Sequence, residues 1–318
     1  MSNGHKPVLL DEVIEALNIR ADGFYIDGTF GRGGHSREII KRLGPEGRLL
    51  VFDKDPDAVM SVGIDLVQDE RFEIIKGSFT MLMQHVKRHE VETKVAGVLF
   101  DFGVSSPQLD DAERGFSFRF DAPLDMRMNP DEGQSVAEWL NRASETDIAD
   151  VIYEYGEERA SRRIAKAIVN VRAENPVMTT TQLAELVRDA VQSRKSRNKK
   201  NTKKISDIHP ATKTFQALRI FINRELEEIK EVLPQAVDVL CPGGRLAAIS
   251  FHSLEARIVK RFMREQSMPK EYPPELPIIT DDSDVKLQLI GKKIQAAEEE
   301  INLNPRARSA TLRVAERC

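Results

Sequence analysis

The sequence has few of the features that mark secreted or membrane proteins. Its 318 residues include two cysteines, Cys241 and Cys318, which are too few for a disulfide framework and fit a reducing compartment. No hydrophobic run is long enough to span a bilayer, and residues 1–7 lack the apolar core of a signal peptide. We therefore expect a cytoplasmic protein with no membrane partner.

The chain also lacks an excess of positive charge. Its formal net charge of -4 argues against a uniformly basic nucleic-acid binder, so any contact with a polyanion must come from local clusters. The histidines and cysteines show no metal-ligand spacing, and we expect no metal site. With 41% hydrophobic and 31% charged residues, the composition is that of an ordinary globular protein of one large or two smaller domains.

A glycine-rich segment near the N-terminus carries the clearest functional pattern. An apolar strand over 24–26 ends in Asp27, and a glycine loop over 28–34 follows it. Glycine permits positive φ angles and lets the backbone approach a ligand closely. Ser36 is the predicted N-cap of the next helix, whose free N–H groups would face that ligand. The segment therefore predicts a nucleotide-like cofactor, although glycine turns also occur in other α/β proteins.

The acids around this loop favour one cofactor over another. Asp53 ends a second apolar run twenty positions after Gly33, where an acid accepts hydrogen bonds from ribose hydroxyls. Asp27 would repel the pyrophosphate of a dinucleotide but favours the ammonium and sulfonium groups of S-adenosylmethionine. The glycine spacing also departs from G-x-G-x-x-G, because Ser36 occupies the last position. We therefore predict S-adenosylmethionine rather than a nicotinamide cofactor.

Strands and helices alternate around this segment. The apolar patterns predict helices at 8–17, 56–67 and 81–89, and strands at 24–27, 48–53, 72–75, 95–101, 245–251, 285–290 and 310–315, the last two as a hairpin-like edge pair. Such alternation is typical of a doubly wound parallel sheet, whose ligands lie beyond the carboxyl ends of the strands. Asp53, Phe79 and Asp101 fall at that edge, and Phe79 is a candidate to pack on adenine.

The alternation stops in the middle of the chain. A loop rich in Ser, Pro, Asp and Gly is followed by helical patterns alone. We predict one α/β domain formed by residues 1–107 and 210–318, interrupted by a loop and an all-helical domain over 108–209.

Asp101 is the candidate catalytic residue. It follows the fourth strand, where amino-group methyltransferases of this fold place an acid or amide. The exocyclic amine of cytosine or adenine is a poor nucleophile, and an acceptor that binds its hydrogens directs the lone pair at the methyl carbon. A backbone carbonyl near Pro107 is an alternative acceptor, and the alternative roles for Asp101 are to hold the cofactor or to cap a helix. The ring that stacks on the base would come from Phe116, Phe118, Trp139 or Phe251.

Two basic clusters suggest contact with phosphates. Residues 194–204 hold seven cations and no acid. Such blocks are often solvated tails, but beside a site for a base a phosphate-contacting arm is the better explanation. Further cations recur at helical spacing and would extend that surface; they are Arg257, Lys260, Arg261 and Arg264.

Several long strings in the chain resemble the bacterial ribosomal RNA small-subunit methyltransferase H family, also called the MraW group. These strings are residues 27–36, 103–118, 123–128, 209–212, 250–255 and 304–308. The resemblance covers nearly the whole chain. It implies a Rossmann-like class I fold, S-adenosylmethionine as the donor, and methylation of a cytidine N4 in the decoding region of 16S rRNA.

The resemblance also implies a set of site residues and partners. The cofactor contacts would be Gly33, Gly34, His35, Asp53, Phe79, Asp101 and Gln108. The helical insertion would recognise the substrate, 16S rRNA in the small ribosomal subunit, and a homodimer is left open. The alternatives are a methyltransferase acting on another nucleic acid, or a non-catalytic RNA-binding ribosome assembly factor.

Overall fold

The computed structural model describes residues 7–192, 209–269 and 285–318, so the basic run at 194–204 lies outside the described residues. The chain divides into two compact units. The first comprises Met1–Gly103 and Leu226–Cys318, and the second comprises Val104–Glu225. No helix in the described parts of the chain has both the length and the apolar character needed to cross a membrane.

The first unit contains a seven-stranded sheet. Its strands are β1 (Phe24–Asp27), β2 (Arg48–Asp53), β3 (Phe72–Lys76), β4 (Val95–Asp101), β5 (Leu240–Ser250), β6 (Leu287–Leu289) and β7 (Thr311–Arg317). They lie in the order β3-β2-β1-β4-β5-β7-β6, in which β1 to β5 are parallel and β7 runs antiparallel to both β5 and β6. The predicted doubly wound sheet and its edge pair are confirmed.

Fourteen α-helices are distributed over the two units. In chain order they are α1 (Leu10–Leu17), α2 (Gly34–Ile40), α3 (Pro56–Met60), α4 (Ile64–Val67), α5 (Leu82–Arg88), α6 (Ser106–Asp110), α7 (Val136–Leu140), α8 (Glu145–Gly156), α9 (Ser161–Arg172), α10 (Thr180–Gln192), α11 (Thr212–Ile222), α12 (Glu225–Val239), α13 (Ser253–Gln266) and α14 (Glu298–Leu303). These bounds count the described residues only.

The central strands form because their sequences are apolar on both faces. Every residue of β4 from Val95 to Phe100 is buried, as expected for a parallel strand covered by helices on each side. Tyr25, Phe52 and Phe100 are among the largest fully buried side chains of the molecule. The strand order reverses between β1 and β4, and such a reversal opens a crevice at the carboxyl ends of the strands.

The second unit is helical and has its own hydrophobic core. Its buried residues include Trp139, Ile152, Ile164 and Leu183. Phe215 and Leu218 on α11 belong to the same core, and α11 packs on α8. The unit therefore ends at Glu225 rather than at the expected position 209, because the apolar face of α11 is buried among helices.

Two local predictions are wrong. The helix expected over 56–67 is two short helices, α3 and α4, separated near Gly63, which caps α4 in an extended conformation. The helix expected to begin after Ser36 begins earlier, at Gly34, and its N-cap is Gly33 in the left-handed conformation. Ser36 instead lies in the first turn of α2, where its hydroxyl donates a hydrogen bond to Asp27.

Candidate active site

Asp27 ties the end of β1 to the glycine loop and α2. The hydroxyl of Ser36 donates a hydrogen bond to Oδ2 of Asp27 at 2.6 Å, and the backbone N–H of Thr29 donates to Oδ1 at 3.0 Å. The residue is only 1% exposed, and this burial raises the pKa of the Asp27 carboxyl to about 7. Because both oxygens have partners within the protein, Asp27 organises the loop.

The two glycines at the start of α2 are required by the packing around them. Gly33 has φ +70, and a Cβ there would lie 2.5 Å from the Phe30 ring. A Cβ on Gly34 would collide with Cγ of Pro7. The first turn of any helix carries N–H groups that have no acceptor within the helix. The loop therefore presents backbone donors with no side chain at Gly33 or Gly34.

Asp53 anchors the same loop from β2. Its Oδ2 accepts a hydrogen bond from the N–H of Gly31 at 2.8 Å, and its Oδ1 accepts one from the N–H of Asp55 at 2.8 Å. Burial raises the pKa of the Asp53 carboxyl to about 6. Each carboxylate oxygen has two acceptor sites, so Asp53 retains the capacity to accept hydrogen bonds from a ribose.

Asp101 ends β4 beside this loop. Its backbone N–H donates to Oγ1 of Thr29 at 2.7 Å, and 24% of its side chain is accessible to solvent. Oδ1 is buried and has no hydrogen-bond partner among the described residues. Burial, together with the charges of Asp27 and Glu255, raises the pKa of the Asp101 carboxyl well above its usual value. A buried acceptor without a partner is costly, so this oxygen marks a place for a donor from a ligand.

His35 is a neutral neighbour of Asp101. Its Nε2 lies 3.2 Å from the carbonyl oxygen of Val8, and its Nδ1 lies 3.8 Å from Oδ2 of Asp101. Burial lowers the pKa of His35 to about 4, so the ring is uncharged at pH 7. Nε2 must then carry the proton that is donated to Val8, which leaves Nδ1 as an acceptor facing the Asp101 carboxyl.

Phe79 lies just after β3 in a cluster of three aromatic rings. Its ring meets Phe100 edge-on at a centroid distance of 5.6 Å and Phe102 at 6.0 Å. Phe100 and Phe102 stack at 5.3 Å with an interplanar angle of 9°. Phe79 is half-buried, so part of the residue is accessible at the edge where the acids lie.

The glycine loop brings most of the predicted site residues together. Hydrogen bonds or close contacts connect the loop and α2 to Asp53 and Asp101, and Phe79 Cβ lies 3.3 Å from the Cβ position of Gly28. Gln108 belongs to the other unit, where its Oε1 accepts the N–H of Ser105 at 2.9 Å in a capping box.

Other candidates have structural roles. Phe116 and Trp139 are core residues of the helical unit and are not available to stack on a base. Phe118 packs between the rings of His209 and Phe215 at centroid distances of 4.7 and 4.8 Å. Phe251 is half-buried at the end of β5. His252 is the N-cap of α13.

Thr29 is a site residue that was not predicted from the sequence. Its hydroxyl accepts the Asp101 N–H and lies 3.4 Å from Oδ1 of Asp27, so it connects the ends of β1 and β4. The available signal was a hydroxyl residue two positions after a strand-ending Asp, which is typical of local turns closed by the Asp side chain.

The donor and acceptor set fits a cofactor that brings hydroxyl groups and positive charge. Three carboxyl groups lie at the carboxyl ends of β1, β2 and β4, and a pyrophosphate there would be repelled. Asp53 retains acceptor sites, and Asp101 has an oxygen without a partner among the described residues. Together with the antiparallel β7, this arrangement defines a Rossmann-like class I S-adenosylmethionine-dependent methyltransferase.

Comparison with known proteins agrees with this class. The model of the MraW methylase family matches residues 2–318. The chain is 53% identical over 313 residues to Ribosomal RNA small subunit methyltransferase H of Coxiella burnetii, covering 98% of both chains. It is also 53% identical over 314 residues to the protein of the same name from Thioalkalivibrio sulfidiphilus, covering 98% of this chain and 97% of that one.

A solved structure, an rRNA methylase from Streptococcus thermophilus, aligns with a TM-score of 0.40 and 11% identity over 97% of this chain and 93% of that chain. The sequence comparisons establish the family without it. The chain belongs to the MraW methylase family, and its methyl donor is S-adenosylmethionine.

Proposed function

We propose that this protein methylates the exocyclic N4 of a specific cytidine in the decoding region of 16S rRNA. Relatives that match it along 98% of its length carry the name Ribosomal RNA small subunit methyltransferase H. The observation that supports the amine as the methyl acceptor is the buried Oδ1 of Asp101, which lies beside the glycine loop. This oxygen has no hydrogen-bond partner among the described residues. An amine is a ligand group that satisfies it.

Asp101 orients the nucleophile in this proposal. Its carboxylate accepts a hydrogen bond from the N4 amine, so the nitrogen lone pair is held towards the methyl carbon and the developing positive charge is stabilised. The bound donor supplies an electrophilic methyl group and leaves as S-adenosylhomocysteine. The N–CH₃ bond forms as the S–CH₃ bond breaks, and N4 then loses one proton to Asp101 or to water. The raised pKa of Asp101 suits it to hold that proton transiently.

The remaining site residues are proposed to hold the donor. Backbone groups of Gly33, Gly34 and His35 contact its amino-acid portion, Asp53 accepts from the ribose, and Phe79 packs on the adenine. Gln108 is proposed as a further cofactor contact. The helical unit is proposed to recognise the RNA, which is bound as part of the small ribosomal subunit.

Substitution of Asp101 tests its role. We expect Asp101→Ala to lower kcat about 100- to 10,000-fold at saturating donor, because the amine loses its acceptor. Asp101→Asn keeps one acceptor oxygen and should lose less. Asp22→Ala, at an exposed acid, is the control and should match wild type. Donor affinity is measured separately by calorimetry.

The same kinetic measurement separates catalysis from cofactor binding. If Asp101→Ala weakens donor binding but retains near-full kcat at saturation, Asp101 only holds the cofactor and the catalytic role is wrong. Offering small subunits, naked 16S rRNA, transfer RNA and DNA in turn tests the substrate class. Product with another nucleic acid, or cofactor binding with no product at all, would favour the alternative enzymes or the assembly factor.

A further inference from the structure

Helix α13 begins where β5 ends, at the edge of the sheet that carries the site. In the register of the two strands, Asp101 of β4 lies beside Ile249 of β5, two residues before Phe251. The carboxylate of Glu255 accepts the N–H groups of Phe251 and His252 at 2.7 and 3.2 Å, and Glu255 itself is fully buried. The first turn of α13 is therefore fixed to the strand neighbouring Asp101.

One face of α13 is apolar and buried, and the opposite face is basic. Leu254, Val259 and Met263 pack inward. The exposed face carries four cations at spacings i, i+3, i+4 and i+7, which places them in one stripe along the helix. This basic stripe consists of Arg257, Lys260, Arg261 and Arg264, all of them exposed.

Two of the four cations have no counterion among the described residues. Arg261 pairs with Glu265 at 2.7 Å, and both side chains are exposed, so the pair is weak. Lys260 and Arg264 make no ion pair within the parts of the chain that the structure describes. Four cations on one helical face are notable in a chain whose net charge is -4.

We propose that the basic stripe of α13 binds backbone phosphates of the RNA that flank the target cytidine. This inference rests on the proposed function, because it takes RNA as the substrate. Exposed cations on a helix usually contact only solvent. The basic stripe of α13, however, belongs to a helix whose first turn is hydrogen-bonded to the end of the strand beside Asp101. Phosphate contacts position an RNA without selecting its sequence, so the stripe contributes affinity and register.

The salt dependence of RNA binding tests the stripe directly. Each phosphate contact on a single strand adds about 0.7 to the slope of log affinity against log salt. In the full chain, the double variant Lys260→Gln and Arg264→Gln should therefore reduce that slope for 16S rRNA by about 1 to 2 units. Affinity at low salt should fall several-fold, and donor binding should stay unchanged.

Two further variants serve as controls. Lys260→Arg with Arg264→Lys keeps both charges and should retain the wild-type slope. Lys87→Gln with Arg88→Gln removes two exposed cations from α5, an equal change in net charge, and should leave the slope unchanged. If the α13 neutral variant keeps the wild-type slope, or the α5 variant loses as much, the stripe is not a phosphate contact.

Methyl transfer to small subunits, measured with the same preparations, separates the two proposals. Wild-type transfer with an unaltered slope in the α13 variant overturns only the stripe. Wild-type protein that neither transfers methyl groups nor binds RNA overturns the proposed function, and the stripe inference with it.

Discussion

Asp27, Asp53 and Asp101 end three neighbouring strands and share an unusual electrostatic environment. Burial raises the pKa of Asp27 to about 7 and that of Asp53 to about 6, and it raises the pKa of Asp101 well above its usual value. Desolvation is the largest cause at each position, and the charge of a neighbouring carboxylate adds to it. A bound sulfonium would favour their ionised forms, so donor binding should lower the pKa of these carboxyl groups.

The raised pKa of Asp27 predicts how stability depends on pH. Between about pH 4 and pH 7 the folded protein keeps a proton on Asp27 that the unfolded chain releases, so this contribution to stability falls as pH rises. Relative to Asp27→Asn, which cannot titrate, the cofactor-free wild type should lose on the order of 2–4 kcal/mol of unfolding free energy across that range. Urea unfolding at a series of pH values measures the difference.

A difference between the two proteins that stays constant from pH 4 to pH 8 would show that Asp27 titrates normally. A difference that grows in favour of wild type with rising pH would reverse the assigned sign.

At this scale the sequence located the acids but not their partners. An apolar run ending in Asp is visible in the printed chain, and it correctly placed Asp27, Asp53 and Asp101 at the strand ends. The prediction that Ser36 is the N-cap was wrong, because Gly33 is the N-cap of α2. The Ser36 hydroxyl donates to Asp27 instead. Whether a hydroxyl accepts from a helix N–H or donates to a nearby carboxylate depends on the folded backbone.

At the scale of elements, the turn after β1 depends on Gly28, the first residue of the glycine loop. A Cβ on Gly28 would lie 2.5 Å from the Phe100 ring. Phe100 is fully buried and stacks on Phe102, so its ring has no room to move aside. The Phe100 ring also contacts Phe79, so the packing at Gly28 connects the glycine loop to the proposed adenine contact.

Substitution of Gly28 tests that packing. Gly28→Ala should lower the unfolding free energy by about 1–3 kcal/mol, as overpacked cores do, and should weaken donor binding through Phe79. The matched control is Gly44→Ala, whose nearest contact would be an ordinary 3.4 Å from the Ala21 carbonyl oxygen. Thermal unfolding and donor titration of both variants measure the effects. Wild-type stability in Gly28→Ala would contradict the packing argument.

Elements were predictable from the sequence where apolar periodicity is strong. The buried strands β1, β2 and β4 and the hairpin-like pair of β6 and β7 match their predicted positions closely. The membership of α11 was not predictable, since its amphipathic pattern suits either a sheet or a helical core. Only the contacts of Phe215 and Leu218 decide between them.

The whole molecule combines two units with different proposed tasks. The sheet unit carries Asp27, Asp53, Phe79 and Asp101, together with the basic stripe on α13. The helical unit interrupts it in sequence and has a separate core. Sequence alone showed that such an interruption exists, because the alternation of strands and helices stops. The role proposed for the helical unit, recognition of the RNA, depends on surfaces that periodicity does not describe.

The most direct test of the account follows the methyl group itself. The purified protein is incubated with isotope-labelled S-adenosylmethionine and small ribosomal subunits from cells that lack this enzyme, and the RNA is digested to nucleosides for mass analysis. The account predicts labelled N4-methylcytidine at a single position, and its near absence with Asp101→Ala. Label on another base or atom, or no labelled nucleoside from protein that binds the donor, would contradict it.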